Sequence, residues 1–248
     1  ATKTTQDSTN YKIIGQRPIR HDGYDKVIGK AQYGADIDLP GLYHGKVLRS
    51  PHAHARVVSI DTSKAEAHPD VKAVVTSSDF ADAPDESKVI VSGPPVNLYH
   101  MSSNILARDK VLYKGHAIAA VAAEDVHAAE EALSLIDVEY EILQSVTNVD
   151  DAMEVDAPTL HERFERNVAA HNQISIGDIQ KGFEKADLIL EREFRTKTVH
   201  QGYIEPHTAT AWWLPNNRLN VWSSSQGHFP VRDRTAAIVG IPFSKVKV

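Results

Sequence analysis

The apolar positions before residue 145 fall in short runs rich in β-branched residues, a pattern that is typical of strands. The predicted strands cover 42–49, 56–61, 71–76, 110–113, 117–123 and 137–143. Two short helices are expected between them: one capped by Thr62 or Ser63, and one that begins after Asp125 and is apolar at helical spacing. Because we expect the strands to pair mainly with near neighbours in the chain, this alternation predicts an α+β fold.

The pattern changes over 148–172, where proline and charged residues replace the apolar runs. We interpret this stretch as a linker draped over a surface, between a first domain at 15–147 and a second at 173–248, with 1–14 as a flexible lead-in. Residues 79–97 are interpreted as a long surface excursion. The elements expected after the linker are a helix over 179–186, a strand over 188–194, two strands around a turn at 215–217, a helix ending at 239 and a strand over 244–248.

Composition narrows the classes of function. The chain of 248 residues has no cysteine, which excludes disulfides, thiolate zinc sites and thiolate-held iron–sulfur clusters within it. Its net charge of −6 argues against a nucleic-acid partner or an anionic membrane surface. No apolar run is long enough to span a bilayer, and no glycine-rich nucleotide-binding motif is present. A cytoplasmic location is the default expectation.

His52 and His54 form an H-x-H pair, and on a strand two such residues share a face and could supply half of a metal site. No nearby carboxylate or third histidine completes a ligand set, so we assign no metal ligand. A simple histidine-metal enzyme is kept as an alternative.

Three separated blocks of sequence carry a resemblance to a known family. The first runs from 22–31 through Tyr33 and Asp36 and continues at 48–56. The second is 113–124 with 128–132 and 138–141, and the third is 200–206 with 222–229. In this order and at these spacings they resemble the start of the large, molybdenum-cofactor-binding subunit of the xanthine dehydrogenase/aldehyde oxidase family. The resemblance implies an α/β hammerhead domain over 15–147 and the first part of a molybdopterin-binding domain over 173–248. One departure is His116-Ala117, where the family usually has Gln or Glu followed by Pro.

The resemblance also implies a function that this chain performs only with other domains. Such enzymes oxidise an aldehyde, an aromatic heterocycle or a related substrate with water as the oxygen source. The implied cofactors are molybdenum-molybdopterin here, and iron–sulfur clusters and FAD on partner subunits of a hetero-oligomer. The family's glycine-rich loop, second cofactor domain and catalytic glutamate lie beyond Val248, so the chain is expected to be a split-gene product or a fragment. The alternative is a non-catalytic scaffold that retains the hammerhead fold.

The resemblance places the cofactor contacts between the last long strand and the following helix. Gln226 falls on the family's glutamine, whose neutral amide can donate a hydrogen bond to a metal-oxo group without adding charge. Gly227, His228 and Phe229 follow at the helix start, where backbone N–H groups can hold an anion. His200 and Glu205 are expected to orient the cofactor's ligands through hydrogen bonds rather than to act in catalysis. The alternatives are a glutamine that caps the helix and an ordinary helix entry with Pro230 in its first turn.

Overall fold

The computed structural model describes residues 12–80, 88–89 and 96–248. Most of the lead-in and much of the excursion predicted over 79–97 lie outside these residues. The strands are β1 (His44–Arg49), β2 (Ala55–Asp61), β3 (Val71–Thr76), β4 (Lys88–Val89), β5 (Val96–Asn97), β6 (Lys110–Val111), β7 (Ala117–Ala123), β8 (Asp137–Ile142), β9 (Ala209–Trp213), β10 (Leu219–Ser223) and β11 (Val246–Lys247). The α-helices are α1 (Gly23–Val27), α2 (Ser63–Glu66), α3 (Leu98–Ile105), α4 (Val126–Ser134), α5 (Val149–Ala152), α6 (Ile179–Glu184) and α7 (His228–Val239).

In the described part of the chain, the strands form three three-stranded sheets, in the orders β1-β7-β3, β6-β2-β8 and β11-β10-β9, and one short pair, β4-β5. This mixture of helices and sheets confirms the α+β prediction. The expectation of pairing with near neighbours was wrong for the first two sheets. The central strand β7 pairs antiparallel with β1 from His44↔Ala123 onward and with β3 from Val71↔Ala123 onward. Strands that are distant in sequence come together because β7 is apolar at every position and is therefore enclosed at the centre.

Strand β7 lies between a layer of helices and the second sheet. Its residues Ala119 and Val121 pack with Ala132 of α4 and Ala65 of α2. Ile118, which precedes them, faces the opposite side and packs with Ala55, Ala107 and Val111 of and beside the second sheet. Both faces of β7 are therefore buried, which explains why its sequence is continuously apolar rather than alternating.

The cap predicted at Asp125 is formed, whereas Thr62 precedes α2 without a capping hydrogen bond from its side chain to the helix backbone. The Asp125 carboxylate accepts a hydrogen bond from the Ala128 N–H at 2.8 Å, and this bond lowers the pKa of Asp125. The Thr62 hydroxyl stands before α2 and donates to the Glu66 carboxylate at 2.6 Å. Both helices therefore begin where the sequence predicted.

The stretch 148–172 folds back on the first part of the chain. Asn167 joins it internally, because its side-chain amide donates to the carbonyls of Ala152 at 2.8 Å and Pro158 at 3.2 Å. Lys110 of β6 donates to the Glu162 carboxylate at 3.3 Å. The predicted linker therefore lies along the edge of the second sheet.

The second part of the chain contains a smaller core. β9 and β10 form the predicted hairpin, whose turn places Asn217 at a positive φ of 58°. β11 pairs in parallel with β10, and α7 covers them through Leu219, Ala236 and Val246. The predicted final strand is reduced to Val246–Lys247 and follows a 3-10 turn over Phe243–Lys245.

The prediction of a strand over 188–194 is wrong. These residues have no regular secondary structure, and their apolar side chains are exposed, with Phe194 87% exposed. An apolar run predicts burial, but a strand forms only where a second strand supplies hydrogen-bond partners. None of the described residues pairs with this segment.

Candidate functional site

The junction between β10 and α7 opens into a cavity of about 400 Å³. β10 ends at Ser223, and α7 starts at His228 with Gly227 as its N-cap residue. No side chain caps this helix, so its first N–H groups are left for a ligand or solvent. The lining residues are Gln32, Tyr33, Gly34, Ile37, Glu205, Val221, Trp222, Ser223, Ser225, Gln226, Gly227, His228 and Val248.

The cavity brings together four of the six residues expected from the sequence, namely Gln226, Gly227, His228 and Glu205. Gln226 is exposed and does not cap α7, which removes the alternative that it serves only as a helix cap. Pro230 lies in the first turn of α7, as the second alternative assumed. A proline in the first turn does not prevent Gln226 and Gly227 from lining the cavity.

Phe229 and His200 are not among the residues that line the cavity. The Phe229 ring faces the Arg232 guanidinium, which lies 5.1 Å from its centre and 5.0 Å from that of Phe243. His200 Nδ1 accepts a hydrogen bond from the Gly202 N–H at 3.0 Å, and its ring lies 4.8 Å from that of Tyr203. In the structure His200 thus shapes the turn before Glu205, and Phe229 packs along α7.

The opposite wall of the cavity comes from the first part of the chain, which was not predicted. Gln32, Tyr33 and Gly34 reach it from the segment after α1. A short 3-10 turn, Gly34–Asp36, holds this segment, and the Tyr33 N–H donates to the Asp36 carboxylate at 2.9 Å. The sequence signal was present in the first block of the resemblance, but nothing local linked it to a residue nearly two hundred positions later.

The chemistry of the cavity wall is largely neutral. Its polar groups are two glutamine amides, serine hydroxyls, the Tyr33 phenol, the His228 imidazole and the Glu205 carboxylate. No lysine or arginine belongs to this wall in the described part of the chain. Such a wall can donate and accept hydrogen bonds and can offer backbone N–H groups to an anion, without placing a full positive charge beside it.

His52 and His54 do not form a pair. Both precede β2, so the strand geometry on which a shared face depends is absent. His54 is buried and its Nδ1 lies 2.7 Å from the Gln144 carbonyl oxygen, whereas the His52 ring lies 5.0 Å from that of Tyr140. Within residues 12–80, 88–89 and 96–248, no group of three or more metal-binding side chains is assembled. The histidine-metal alternative therefore has no support in this geometry.

The departure at His116 has a structural explanation. Its imidazole is fully buried, and its Nδ1 accepts a hydrogen bond from the Leu112 N–H at 3.3 Å. Its Nε2 lies 3.1 Å from the Ser103 carbonyl oxygen, and in this tautomer the Nε2–H donates to that oxygen. Burial is the main cause that lowers the pKa of His116. A ring that accepts at Nδ1 and donates from Nε2 is neutral, and it ties the loop before β7 to α3.

Two family models match the chain. The model described as the a/b hammerhead domain of aldehyde oxidase and xanthine dehydrogenase matches residues 28–144. The model described as a molybdopterin cofactor-binding domain matches residues 160–248, which include the β10–α7 junction. The chain belongs to the xanthine dehydrogenase/aldehyde oxidase family.

Relatives support the same assignment. The chain is 31% identical over 241 residues to the nicotinate dehydrogenase large molybdopterin subunit of Eubacterium barkeri, covering 96% of this chain and 53% of that one. It is 30% identical over 230 residues to the xanthine dehydrogenase molybdenum-binding subunit of Escherichia coli O157:H7, covering 93% and 30%. The solved structure of CO dehydrogenase from Oligotropha carboxidovorans superimposes with a TM-score of 0.75 at 31% identity, covering 94% and 30%. The chain therefore spans between about a third and about half of the length of these relatives.

Relatives with these names do not favour the alternative of a non-catalytic scaffold. A separate observation concerns membranes: among the described residues, no helix is both long and apolar enough to cross one.

Proposed function

We propose that this chain forms one wall of the molybdenum-molybdopterin site of a molybdenum hydroxylase. The enzyme would oxidise an aldehyde, an aromatic heterocycle or a related substrate with water as the oxygen source. The observation that carries the proposal is the cavity at the β10–α7 junction, which collects Gln226, Gly227, His228 and Glu205 inside the range matched by the cofactor-binding model.

The residues present fit a pterin cofactor. A cavity of about 400 Å³ is within the range of small-molecule sites, and it combines the apolar surfaces of Ile37, Val221 and Trp222 with neutral hydrogen-bonding groups. When bound, the molybdenum centre supplies the two-electron oxidation that protein side chains cannot perform. No residue of this chain is assigned as the catalytic base.

Three parts of the wall have roles that follow from their chemistry. The Gln226 amide donates a hydrogen bond to an oxygen of the bound group. The N–H groups of Gly227, His228 and Phe229 at the start of α7 hold an anionic part of the cofactor. Glu205, whose turn is shaped by His200, accepts hydrogen bonds from the cofactor or from neighbouring donors.

We also propose the assembly in which this wall works. Residues 15–147 and 173–248 act as two domains joined by 148–172, and the rest of the molybdenum subunit completes the cavity. Iron–sulfur and FAD subunits carry the electrons away, in a hetero-oligomer located in the cytoplasm. Two facts support a division of labour: this chain has no cysteine for an iron–sulfur cluster, and it spans only part of each relative.

A second observation supports a covering partner. Every residue from 168 to 207 is exposed, including Leu188, Leu190, Phe194 and Ile204, the last 98% exposed. Large apolar side chains that a folded chain leaves exposed in such numbers are typical of a surface that a partner covers. We propose that the remainder of the molybdenum subunit covers it.

The test starts from the complex purified through this chain, with metals measured and companion polypeptides identified by mass. We expect about one molybdenum atom per chain, and iron on a cysteine-containing companion. Gln226→Ala is expected to keep molybdenum and to lower kcat by about 100-fold, since one preorganised donor is removed. Gln180→Ala, an exposed glutamine of α6, serves as the matched control. A complex without molybdenum would refute the proposal.

A further inference from the structure

Beside the cavity, the two parts of the chain come very close together at Gly34 and Thr208. A Cβ atom built on Gly34 would lie 2.5 Å from the Thr208 hydroxyl oxygen. Real Cβ contacts essentially never fall below 3.0 Å, so no larger residue fits unless Thr208 moves. Gly34 is not among the glycines with a positive φ, which means that space rather than backbone conformation requires glycine here.

This contact lies next to the end of β10, the strand that precedes Gln226. Thr208 precedes β9 and is joined to Ser224, just beyond β10, by three hydrogen bonds. The Ser224 N–H and hydroxyl donate to the Thr208 carbonyl at 3.2 and 3.4 Å, and the Thr208 N–H donates to the Ser224 hydroxyl at 3.0 Å. Ser224 is two residues before Gln226. A contact that holds Thr208 in place therefore also holds Ser224, from which the chain continues to Gln226 in the cavity.

The Thr208 hydroxyl itself makes no stabilising hydrogen bond. Its oxygen is buried and has no hydrogen-bond partner among the described residues. The close approach of Gly34 is therefore a steric contact, and the hydroxyl can be removed without the loss of a bond. Removing it leaves the Thr208 Cβ 3.8 Å, and the Ser224 nitrogen 3.5 Å, from a Cβ at position 34, both ordinary van der Waals distances.

We propose that the 32–34 segment of the hammerhead part positions the Gln226 strand end through the contact between Gly34 and Thr208. Gly34 is a positioning residue and not a catalytic one. The hammerhead part thereby supplies one wall of the cavity and also positions the wall that carries Gln226. The effect on molybdenum rests on the proposed function, whereas the effect on the Thr208–Ser224 pair does not.

The test is a double-mutant cycle in the purified complex, with two readouts. Hydrogen exchange at the Ser224 amide reports the strand end directly, and the molybdenum-to-chain ratio reports the site. Gly34→Ala is expected to speed exchange at Ser224 by about tenfold and to lower the molybdenum ratio. Thr208→Ala alone removes the contacting hydroxyl and is expected to speed exchange at Ser224 by less than Gly34→Ala does. Gly34→Ala with Thr208→Ala is expected to return both readouts to the level of Thr208→Ala.

Two comparisons keep the result decisive. Gly182→Ala, where an added Cβ meets nothing within 4 Å, is the control for an extra methyl group in the same chain. If Gly34→Ala changes neither readout, or if removal of the Thr208 hydroxyl does not rescue it, the positioning role is overturned. If the wild-type complex contains no molybdenum while the exchange cycle behaves as expected, the proposed function fails and the positioning contact stands.

Discussion

Similar apolar residues are buried in the first part of the chain and exposed in much of the second. In the first part, β7 buries its side chains on both faces, against α2 and α4 on one side and the second sheet on the other. In the second part, every residue from 168 to 207 is exposed, and the buried core consists of Leu219, Ala236 and Val246. Apolar content alone therefore does not produce a core; a facing surface must be present to remove the side chains from water.

The largest difference between the two parts is expected from truncating one aliphatic side chain in each. Ile118 is fully buried, and Ile118→Ala is expected to lower the free energy of unfolding of this chain by about 3 kcal/mol because it leaves a cavity. Leu190 is 69% exposed, and Leu190→Ala is expected to change it by less than about 0.5 kcal/mol. Urea denaturation of both variants measures the contrast. Equal effects would mean that 168–207 is packed in the isolated chain.

The same pair sharpens the proposal of a covering partner. In the assembled complex, Leu190→Ala is expected to cost about 2 kcal/mol, because its side chain is then buried. If Leu190→Ala costs as little in the complex as in the isolated chain, the proposal that a partner covers this segment is contradicted.

A buried polar group gives the next largest contrast. His116→Ala leaves the Leu112 N–H and the Ser103 carbonyl without their partner and is expected to cost about 2 kcal/mol. His200 is exposed, and His200→Ala is expected to stay within about 0.5 kcal/mol. Thermal unfolding at pH 8 measures both.

The pH dependence follows from the lowered pKa of His116. The unfolded chain takes up a proton near the ordinary value of 6.5, whereas the folded chain resists protonation to a lower pH. The contribution of His116 is therefore complete above pH 6.5 and is lost as pH falls through the lower folded value. His116→Gln is expected to flatten this part of the stability curve. His161, whose pKa is also lowered, mainly by burial, needs the matching His161→Gln variant as a control.

The smallest contrast comes from two helix caps of the same type. The Asp125 carboxylate accepts from the Ala128 N–H at 2.8 Å, and that of Asp178 accepts from the Lys181 N–H at 3.1 Å. Asp125→Ala is expected to cost about 1 kcal/mol, because α4 packs into the core. Asp178→Ala is expected to leave the midpoint of urea unfolding unchanged, because α6 is exposed along its whole length and its fraying leaves the core intact. A midpoint shift for Asp178→Ala that matched that for Asp125→Ala would contradict the contrast between the two parts.

The sequence predicted elements well where the signal is local. The Asp125 cap, the hairpin at 215–217 and the strand-to-helix junction at Gln226 depend on neighbouring residues only. Helix α3 was not predicted, although Asn97 accepts from the His100 N–H at 3.1 Å. Serines interrupt the apolar pattern of that stretch, and serine is neutral to unfavourable inside a helix.

Long-range features could not be predicted in this way. The order β1-β7-β3 depends on which strand is enclosed, and the contact of Gly34 with Thr208 depends on how two distant segments dock. The failed strand at 188–194 has the same origin. Its apolar residues satisfy the local requirement for a strand, but a strand also needs a pairing partner, which the described residues do not supply.

The placement of β7 has a consequence for synthesis on the ribosome. Both edges of the first sheet, β1 and β3, are made before the strand that joins them, and β2 likewise waits for β6 and β8. A chain growing from its N-terminus therefore carries three unpaired strands until residues 117–142 have emerged. Closing such long loops late makes folding slow and leaves open strand edges exposed meanwhile. A nascent chain of this protein therefore exposes extended apolar segments until the late strands emerge.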